Sequence, residues 1–179
     1  MFAPLILSSA LFVAPIQKTE VDTWQTELRK EIPLLGHRNW IVVADSAYPA
    51  QNSPGIHTIV THASQTQVLK EVLGELSKAK HVMPNIFLDK ELTYVPESEA
   101  KGVTKYRKDL MEMIKGKPTK TMLHEDIIKS LDDAGKTFRV LLLKTDFTVP
   151  YTSVFLQLDC AYWGPEKEAK LRKIMDGGN

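Results

Sequence analysis

The sequence predicts a single-domain α/β protein, a three-layer α/β/α sandwich built around a mixed β-sheet. Short apolar runs of strand length alternate with segments whose apolar residues recur every three or four positions, as in a sheet covered by helices. The 179 residues are a usual size for one domain with one core. No internal repeat, low-complexity tract or long linker divides them. We therefore expect one domain over residues 16–179.

The helices are predicted from apolar residues at helical spacing and from signals at the helix ends. Pro33 is expected to disturb the last turn of the first helix, because proline removes a backbone donor. Ser64 is a favourable N-cap for the second helix, and Gly135 ends the fourth. The predicted helices cover residues 21–35, 65–78, 98–115, 125–134 and 166–175.

The strands are predicted from short apolar runs that are bounded by turn residues. Residues 40–44, Trp-Ile-Val-Val-Ala, are apolar at every position, which indicates a strand buried on both faces. Pro84 cannot donate a backbone hydrogen bond, so we expect its strand to lie at the sheet edge or to carry a bulge. The predicted strands cover residues 40–44, 56–60, 82–88, 138–144 and 154–159.

Composition excludes several classes of protein. The 23 Lys and Arg residues nearly balance 22 Asp and Glu, so the net charge of +1 gives no electrostatic reason to expect nucleic acid as a partner. Cys160 is the one cysteine, which rules out an intrachain disulfide and a cysteine-based metal cage. No apolar run approaches the roughly 20 residues that span a bilayer, so no membrane partner is expected.

Residues 1–15, MFAPLILSSALFVAP, differ in composition from the rest of the chain. Their apolar stretch and small residues suit a signal peptide, but the stretch is short and no Lys or Arg lies near Met1. Two interpretations stay open. A cleaved signal peptide would place the mature protein outside the cytoplasm, whereas an N-terminal arm packed on the domain or on a neighbouring subunit would belong to a cytoplasmic protein.

The usual metal and nucleotide motifs are missing from the sequence. The five histidines form no H-x-x-x-H or H-E-x-x-H arrangement, and no acidic cluster surrounds them. There is also no G-x-x-x-x-G-K-[ST] loop, no G-x-G-x-x-G turn and no G-x-S-x-G elbow. We therefore expect neither a metal nor a cofactor.

The most informative segment is residues 35–49, LGHRNWIVVADSAYP. His37 precedes the buried strand 40–44, and Asp45 and Ser46 follow it. Ligands of open α/β sheets usually bind beyond the carboxyl ends of the strands, so geometry alone favours Asp45 over His37 as a site residue. A cap or turn role for both residues stays open at this point.

Three segments resemble the D-ribose pyranase / L-fucose mutarotase family, also called RbsD/FucU. Residues 35–49 resemble its L-G-H-x-[DN]-x-[IL]-V-[IV]-x-D-A-x-[FLY]-P signature, with the same interval from His to Asp. Residues 122–125, Met-Leu-His-Glu, are similar to the pyranase branch, and residues 150–156 are similar to P-Y-x-N-[IV]-[IL]-L. The resemblance covers residues 23–158 and implies an RbsD-like fold.

The resemblance also implies a function. Family members open and reclose the hemiacetal ring of a free monosaccharide by acid/base chemistry, without a cofactor. It implies that His37, Asp45 and His124 are catalytic, and that Asp45, His124, Tyr151 and Ser153 bind a ribose- or fucose-like sugar. It further implies a ring-shaped homo-oligomer whose sites lie at subunit contacts, so His37 would meet residues of another chain.

The chain departs from the family pattern at one binding position. The family's Tyr-x-Asn reads Tyr151-Thr152-Ser153, and serine offers a single donor on a shorter arm than asparagine. The lost contact is worth on the order of 1 kcal/mol. The departure indicates a divergent subfamily and keeps an alternative open, a non-catalytic monosaccharide-binding or structural protein. Gln157, Tyr162 and Trp163 are candidates for its pocket, and their interpretation as ordinary strand and core residues stays open.

Overall fold

A computed structural model describes residues 23–177, which form six β-strands and five α-helices. In chain order the elements are α1 (Trp24–Glu31), β1 (Trp40–Ala44), β2 (Ile56–Val60), α2 (Gln65–Lys78), β3 (Val82–Asp89), α3 (Val103–Met113), β4 (Thr119–Met122), α4 (His124–Gly135), β5 (Val140–Lys144), β6 (Val154–Cys160) and α5 (Pro165–Met175). Two short 3₁₀ helices follow α1 and β3, at Ile32–Leu34 and Lys90–Tyr94. The two interpretations of residues 1–15 lie outside the described residues.

The six strands form one mixed sheet in the order β2-β5-β1-β6-β3-β4. β6 runs antiparallel to its neighbours β1 and β3, and the other pairings are parallel. The carboxyl ends of β1 to β5 and the start of β6 therefore lie at the same end of the strands. We call this end of the sheet the carboxyl edge. The opposite edge, where β1 begins and β6 ends, is the amino edge.

β1 is buried on both faces, as its sequence predicts. Ile41 and Val43 pack in the core beneath α1, α2 and α3. Trp40, Val42 and Ala44 point to the other face, where α4 covers them. Successive strand residues alternate between faces, so five apolar residues in a row require a layer on each side. The predicted three-layer α/β/α sandwich with a mixed sheet is confirmed.

The predicted helices and strands differ from the structure mainly at their ends. Pro33 ends α1 early, and the chain continues as a 3₁₀ turn. The helix predicted over residues 98–115 begins only at Val103, because Gly102 has a left-handed conformation and Glu97 accepts hydrogen bonds from the backbone there. The strand predicted from residue 138 begins at Val140. These are shifts of boundary, but the structure also contains a strand that the sequence did not predict, β4.

The placement of Pro84 at a sheet edge is wrong for the strand as a whole, since β3 lies between β6 and β4. β4 pairs with β3 only from Ile86 onward, and the Ile86 amide donates to Pro118 on that side. Pro84 faces the same side two residues earlier, before β4 begins. The backbone N–H that proline lacks would therefore face a position where no neighbouring strand accepts a hydrogen bond.

The helices differ in how they contact the sheet. α5 contributes no buried residue, and its first turn is held by a hydrogen bond from Trp163 Nε1 to Glu168 at 2.8 Å.

Within residues 23–177, no helix combines the length and apolar character needed to cross a bilayer.

Candidate functional site

Asp45 is fixed at the carboxyl edge by a reciprocal contact with Ser153. Both residues are buried, and Ser153 precedes β6 directly beside the end of β1. Ser153 Oγ donates to Asp45 Oδ2 at 2.8 Å and accepts from the Asp45 amide at 3.2 Å. The Ala47 amide donates to Asp45 Oδ1 at 3.0 Å. Each carboxylate oxygen therefore has a donor, and the side chain cannot turn freely.

His124 is the first residue of α4 and contacts Asp89, the last residue of β3. Nδ1 of the imidazole lies 3.1 Å from Asp89 Oδ1. The carboxylate of Glu91 accepts from the His124 amide, with both oxygens at 3.2 Å, and supplies a negative charge at the helix N-terminus. Burial raises the pKa of Asp89 to about 6, Glu91 and Asp45 add to the rise, and His124 opposes it. A buried carboxylate thus sits directly behind a half-buried imidazole.

Tyr151 lies against the His124 ring. The two rings meet edge to face, with their centroids 5.6 Å apart. Tyr151 has a left-handed backbone (φ 58°), which is unusual for a bulky residue. The buried carbonyl of Thr152 fixes this turn, because it accepts from Tyr106 Oη at 2.6 Å and from Gln65 Nε2 at 2.8 Å. The phenol ring is thereby held outward beside the imidazole.

His37 lies at the amino edge, just before β1. Its Nδ1 is 2.8 Å from Asp159 Oδ1, near the end of β6, and the two side chains are 56% and 41% exposed. The Cys160 amide donates to the same oxygen, and together with the nearby imidazole it lowers the pKa of Asp159. This histidine–carboxylate pair therefore stands at the surface with an ionised carboxylate.

A small cavity of about 210 Å³ lies beside His37, and Arg38, Asn85, Gln157 and Asp159 are among its lining residues. Of the three residues considered for a binding pocket, only Gln157 lines it. Tyr162 and Trp163 follow β6 at the surface.

The structure divides the predicted site residues between the two edges of the sheet. Asp45, His124, Tyr151 and Ser153 lie at the carboxyl edge, and His37 lies at the amino edge. The strand between them, β1, has five residues. At about 3.3 Å per residue it separates the edges by roughly 16 Å. A single monosaccharide is too small to contact His37 and Asp45 of the same copy.

Sequence reasoning missed the carboxylates that pair with the two histidines. Asp89 follows an apolar run in the same way as Asp45 follows β1, so the rule that singled out Asp45 also applies to it. Asp159 lies near the end of a predicted strand, and no local pattern connects it to His37. Within residues 23–177, no group of three or more His, Cys, Asp or Glu side chains is arranged to hold a metal ion.

A wider cavity of about 830 Å³ lies between α3 and the β3–β4 pair. Its lining includes the apolar residues Leu88, Leu92 and Leu110, and Asp89 borders it. None of the five predicted site residues is among the residues that line it. Of the carboxylates paired with a site histidine, Asp89 borders this cavity, whereas the predicted site residues themselves lie at the ends of the strands.

The sequence and the fold of this chain identify the class of protein to which it belongs. A model of the RbsD / FucU transport protein family matches residues 20–160. The chain belongs to this family, which confirms the resemblance seen in its motifs. No curated protein matches the chain in a sequence comparison.

Several solved structures have a similar fold, among them two with a bound sugar. One is RbsD of Bacillus subtilis complexed with D-ribose, with 18% identity and a TM-score of 0.53 over 80% of this chain and 98% of that chain. The other is the fucose mutarotase of Streptococcus pneumoniae in complex with L-fucose, with 19% identity and a TM-score of 0.50 over the same shares. At these identities the likeness shows the fold.

Proposed function

We propose that this chain is a cofactor-independent isomerase, a mutarotase or pyranase that interconverts the anomers or ring forms of a free monosaccharide. Family membership supports this, as do the sugars bound to two proteins of the same fold. The observation that carries the proposal is that both histidines in the family-like motifs are paired with carboxylates, His37 with Asp159 and His124 with Asp89. Each pair engages Nδ1 and leaves Nε2 for a substrate.

The chemistry requires two proton transfers. One group removes the proton of the anomeric hydroxyl, and a second delivers a proton to the ring oxygen as the bond from the anomeric carbon breaks. The products are an open-chain aldehyde and a free hydroxyl group, so atoms and charge balance. Reclosure on the other face, or through another hydroxyl, gives the new anomer or ring form. Imidazole titrates near neutral pH and suits both transfers.

His37 acts as the general acid/base in this proposal. Asp159 accepts from Nδ1, which fixes the tautomer and orients Nε2 as the transferring nitrogen. The exposure of both side chains and the 210 Å³ cavity beside them provide access for a sugar.

The site is completed between two copies of the chain in a ring-shaped homo-oligomer. His37 lies too far from the carboxyl edge of its own copy, as the length of β1 requires. The amino edge of one copy would therefore face the carboxyl edge of the next, where Asp45, His124 and Tyr151 hold the sugar. Ser153 acts on the sugar through Asp45, because its hydroxyl hydrogen is already donated to that carboxylate.

Saturation-transfer NMR on a panel of free sugars, ribose and fucose included, tests the proposal. Wild type is compared with His37→Ala and with His57→Ala, which removes another surface histidine paired with a carboxylate. We expect exchange between anomers or ring forms to exceed the buffer rate in wild type and His57→Ala, and to fall to the buffer rate in His37→Ala.

Two results would contradict the proposal. One is a wild-type protein that accelerates no sugar of the panel. The other is a His37→Ala variant with the full wild-type rate. Sugar binding that survives His37→Ala, without any acceleration in wild type, would instead support the non-catalytic binding protein.

A further inference from the structure

Asp89 is a buried carboxylate with an incomplete set of partners. Its side chain is 0% exposed, and Oδ1 contacts His124 Nδ1. Oδ2 is buried and has no hydrogen-bond partner. Buried carboxylates normally have donors on both oxygens, because an unpaired buried charge is costly. An unpaired oxygen that persists behind a site histidine indicates a role beyond folding.

Among the groups around Asp89, the imidazole of His124 is the main one that can offset the negative charge of the carboxylate. Besides His124, the titratable groups that interact with Asp89 are Glu91, Asp45, Tyr48 and Tyr106, and none of them supplies a positive charge. Tyr151 packs edge-on against the imidazole. Asp89 therefore interacts more favourably with the imidazole when the imidazole carries a proton on Nδ1.

We propose that Asp89 is a positioning residue that holds His124 as the Nδ1–H tautomer, so that Nε2 is the nitrogen that exchanges a proton with the sugar. This inference rests on the proposed isomerase function. A carboxylate only accepts hydrogen bonds, so its contact with Nδ1 requires the hydrogen on that atom. The His124 side chain is 31% exposed at the carboxyl edge, which leaves room for a substrate.

The arrangement gives the two histidines of the site different environments. The carboxylate behind His37 is exposed and accepts a second hydrogen bond, from the Cys160 amide. The carboxylate behind His124 is buried, with one oxygen unpaired. Sites that need one acid and one base often separate the two roles by such a difference in environment. Asp89 supplies that difference here.

Asp89→Asn tests the inference, with Asp126→Asn as the matched control. Asparagine has nearly the same shape as aspartate but carries no charge. Asp126 is an exposed carboxylate in the first turn of α4, the turn that also contains His124. The first readout is the ¹⁵N shift of the His124 ring nitrogens at about pH 8, where an imidazole is usually neutral. We expect Nδ1–H in wild type and Asp126→Asn, and a larger share of Nε2–H in Asp89→Asn.

The second readout is sugar exchange. We expect kcat of Asp89→Asn to fall at least tenfold while KM changes by less than about threefold, because a wrong tautomer impairs proton transfer more than binding. Asp126→Asn should keep both constants. Thermal unfolding of each variant reports whether it is folded.

The tautomer separates this inference from the proposed function. If wild type accelerates no sugar, the isomerase fails, and the ¹⁵N spectrum still decides whether Asp89 holds the ring. Nε2–H as the main wild-type tautomer would overturn the inference even if Asp89→Asn failed to fold. An unchanged kcat in a folded Asp89→Asn would overturn it as well.

Discussion

His37 and Asp45 lie at opposite ends of the same strand, β1, with five buried residues between them. The segment that carries the family signature therefore places one polar residue at each edge of the sheet. Neither residue can reach the sugar of the other within one copy. In the proposed oligomer the signature would be a rigid strand that presents one half-site at each of its ends, to two neighbouring copies.

Asp159→Asn should lower the rate of sugar exchange by about tenfold. This is less than the roughly 10²–10⁴-fold contribution of a general acid/base, because His37 itself is retained. The reason is the 2.8 Å contact that orients His37, which a neutral amide replaces with a weaker one. Asp146→Asn is the control, because Asp146 lies 3.8 Å from the exposed His62 and outside the proposed site. Equal rates for the two variants would exclude this role for Asp159.

Ser153→Ala should lower the free energy of unfolding by about 1–3 kcal/mol, since Asp45 Oδ2 loses a buried donor. The exchange rate should fall with it, because Asp45 is no longer held in place. Ser130→Ala, which removes a hydroxyl bonded to a helix carbonyl, should change stability by less than about 0.5 kcal/mol. Denaturant unfolding measures both, and similar losses would argue against the Asp45–Ser153 contact.

Asp89 should make stability depend on pH. Its pKa is raised to about 6 in the folded protein, so the folded state binds more protons than the unfolded state between about pH 4 and pH 6. Stability from this group is present at low pH and is lost as pH rises through 6, by about 3 kcal/mol. The unfolding free energy of wild type minus that of Asp89→Asn should fall accordingly between pH 4 and pH 7. A constant or rising difference would show that folding does not raise the pKa of Asp89.

Two glycine substitutions should have opposite effects on stability. A Cβ on Gly55 would lie 2.2 Å from the Phe138 carbonyl oxygen and 2.5 Å from that of Gly135, so Gly55→Ala must displace backbone. We expect a loss of about 3 kcal/mol or more. Gly74 lies inside α2 with nothing within 4 Å of a Cβ, and Gly74→Ala should gain about 0.5–1 kcal/mol. Thermal unfolding distinguishes them, and a tolerated Gly55→Ala would contradict the packing described for this turn.

The elements that sequence predicts well are those whose own residues determine burial. β1 is apolar at each position and is found at its predicted bounds. β4 has no such signal, because Thr119–Met122 is largely polar and exposed. It becomes a strand through backbone pairing with β3, which depends on the rest of the fold. Local sequence cannot report that kind of stabilisation.

The residues of the candidate site also differ in whether local sequence or long-range contacts identify them. The signature around β1 drew attention to His37 and Asp45, and the resemblance added His124. The partners Asp159 and Asp89 depend on contacts across the sheet, between residues far apart in sequence. The sequence already places His37 and Asp45 at opposite ends of β1, and the strand directions show that His124, Tyr151 and Ser153 lie at the same end as Asp45.

Complementation between two inactive variants tests the central proposal most directly. His37→Ala keeps an intact carboxyl edge, and His124→Ala keeps an intact amino edge. The two are tagged differently, co-assembled and purified as mixed oligomers, and sugar exchange is measured by NMR. Two tagged copies of His37→Ala serve as the control.

If each site is shared between neighbours, a random mixture of the two chains contains intact sites at about a quarter of its subunit contacts, and about a quarter of the wild-type rate should return. The control should stay at the buffer rate. Mixed oligomers that also stay at the buffer rate, while wild type is active, would contradict a site completed by His37 of a neighbouring copy.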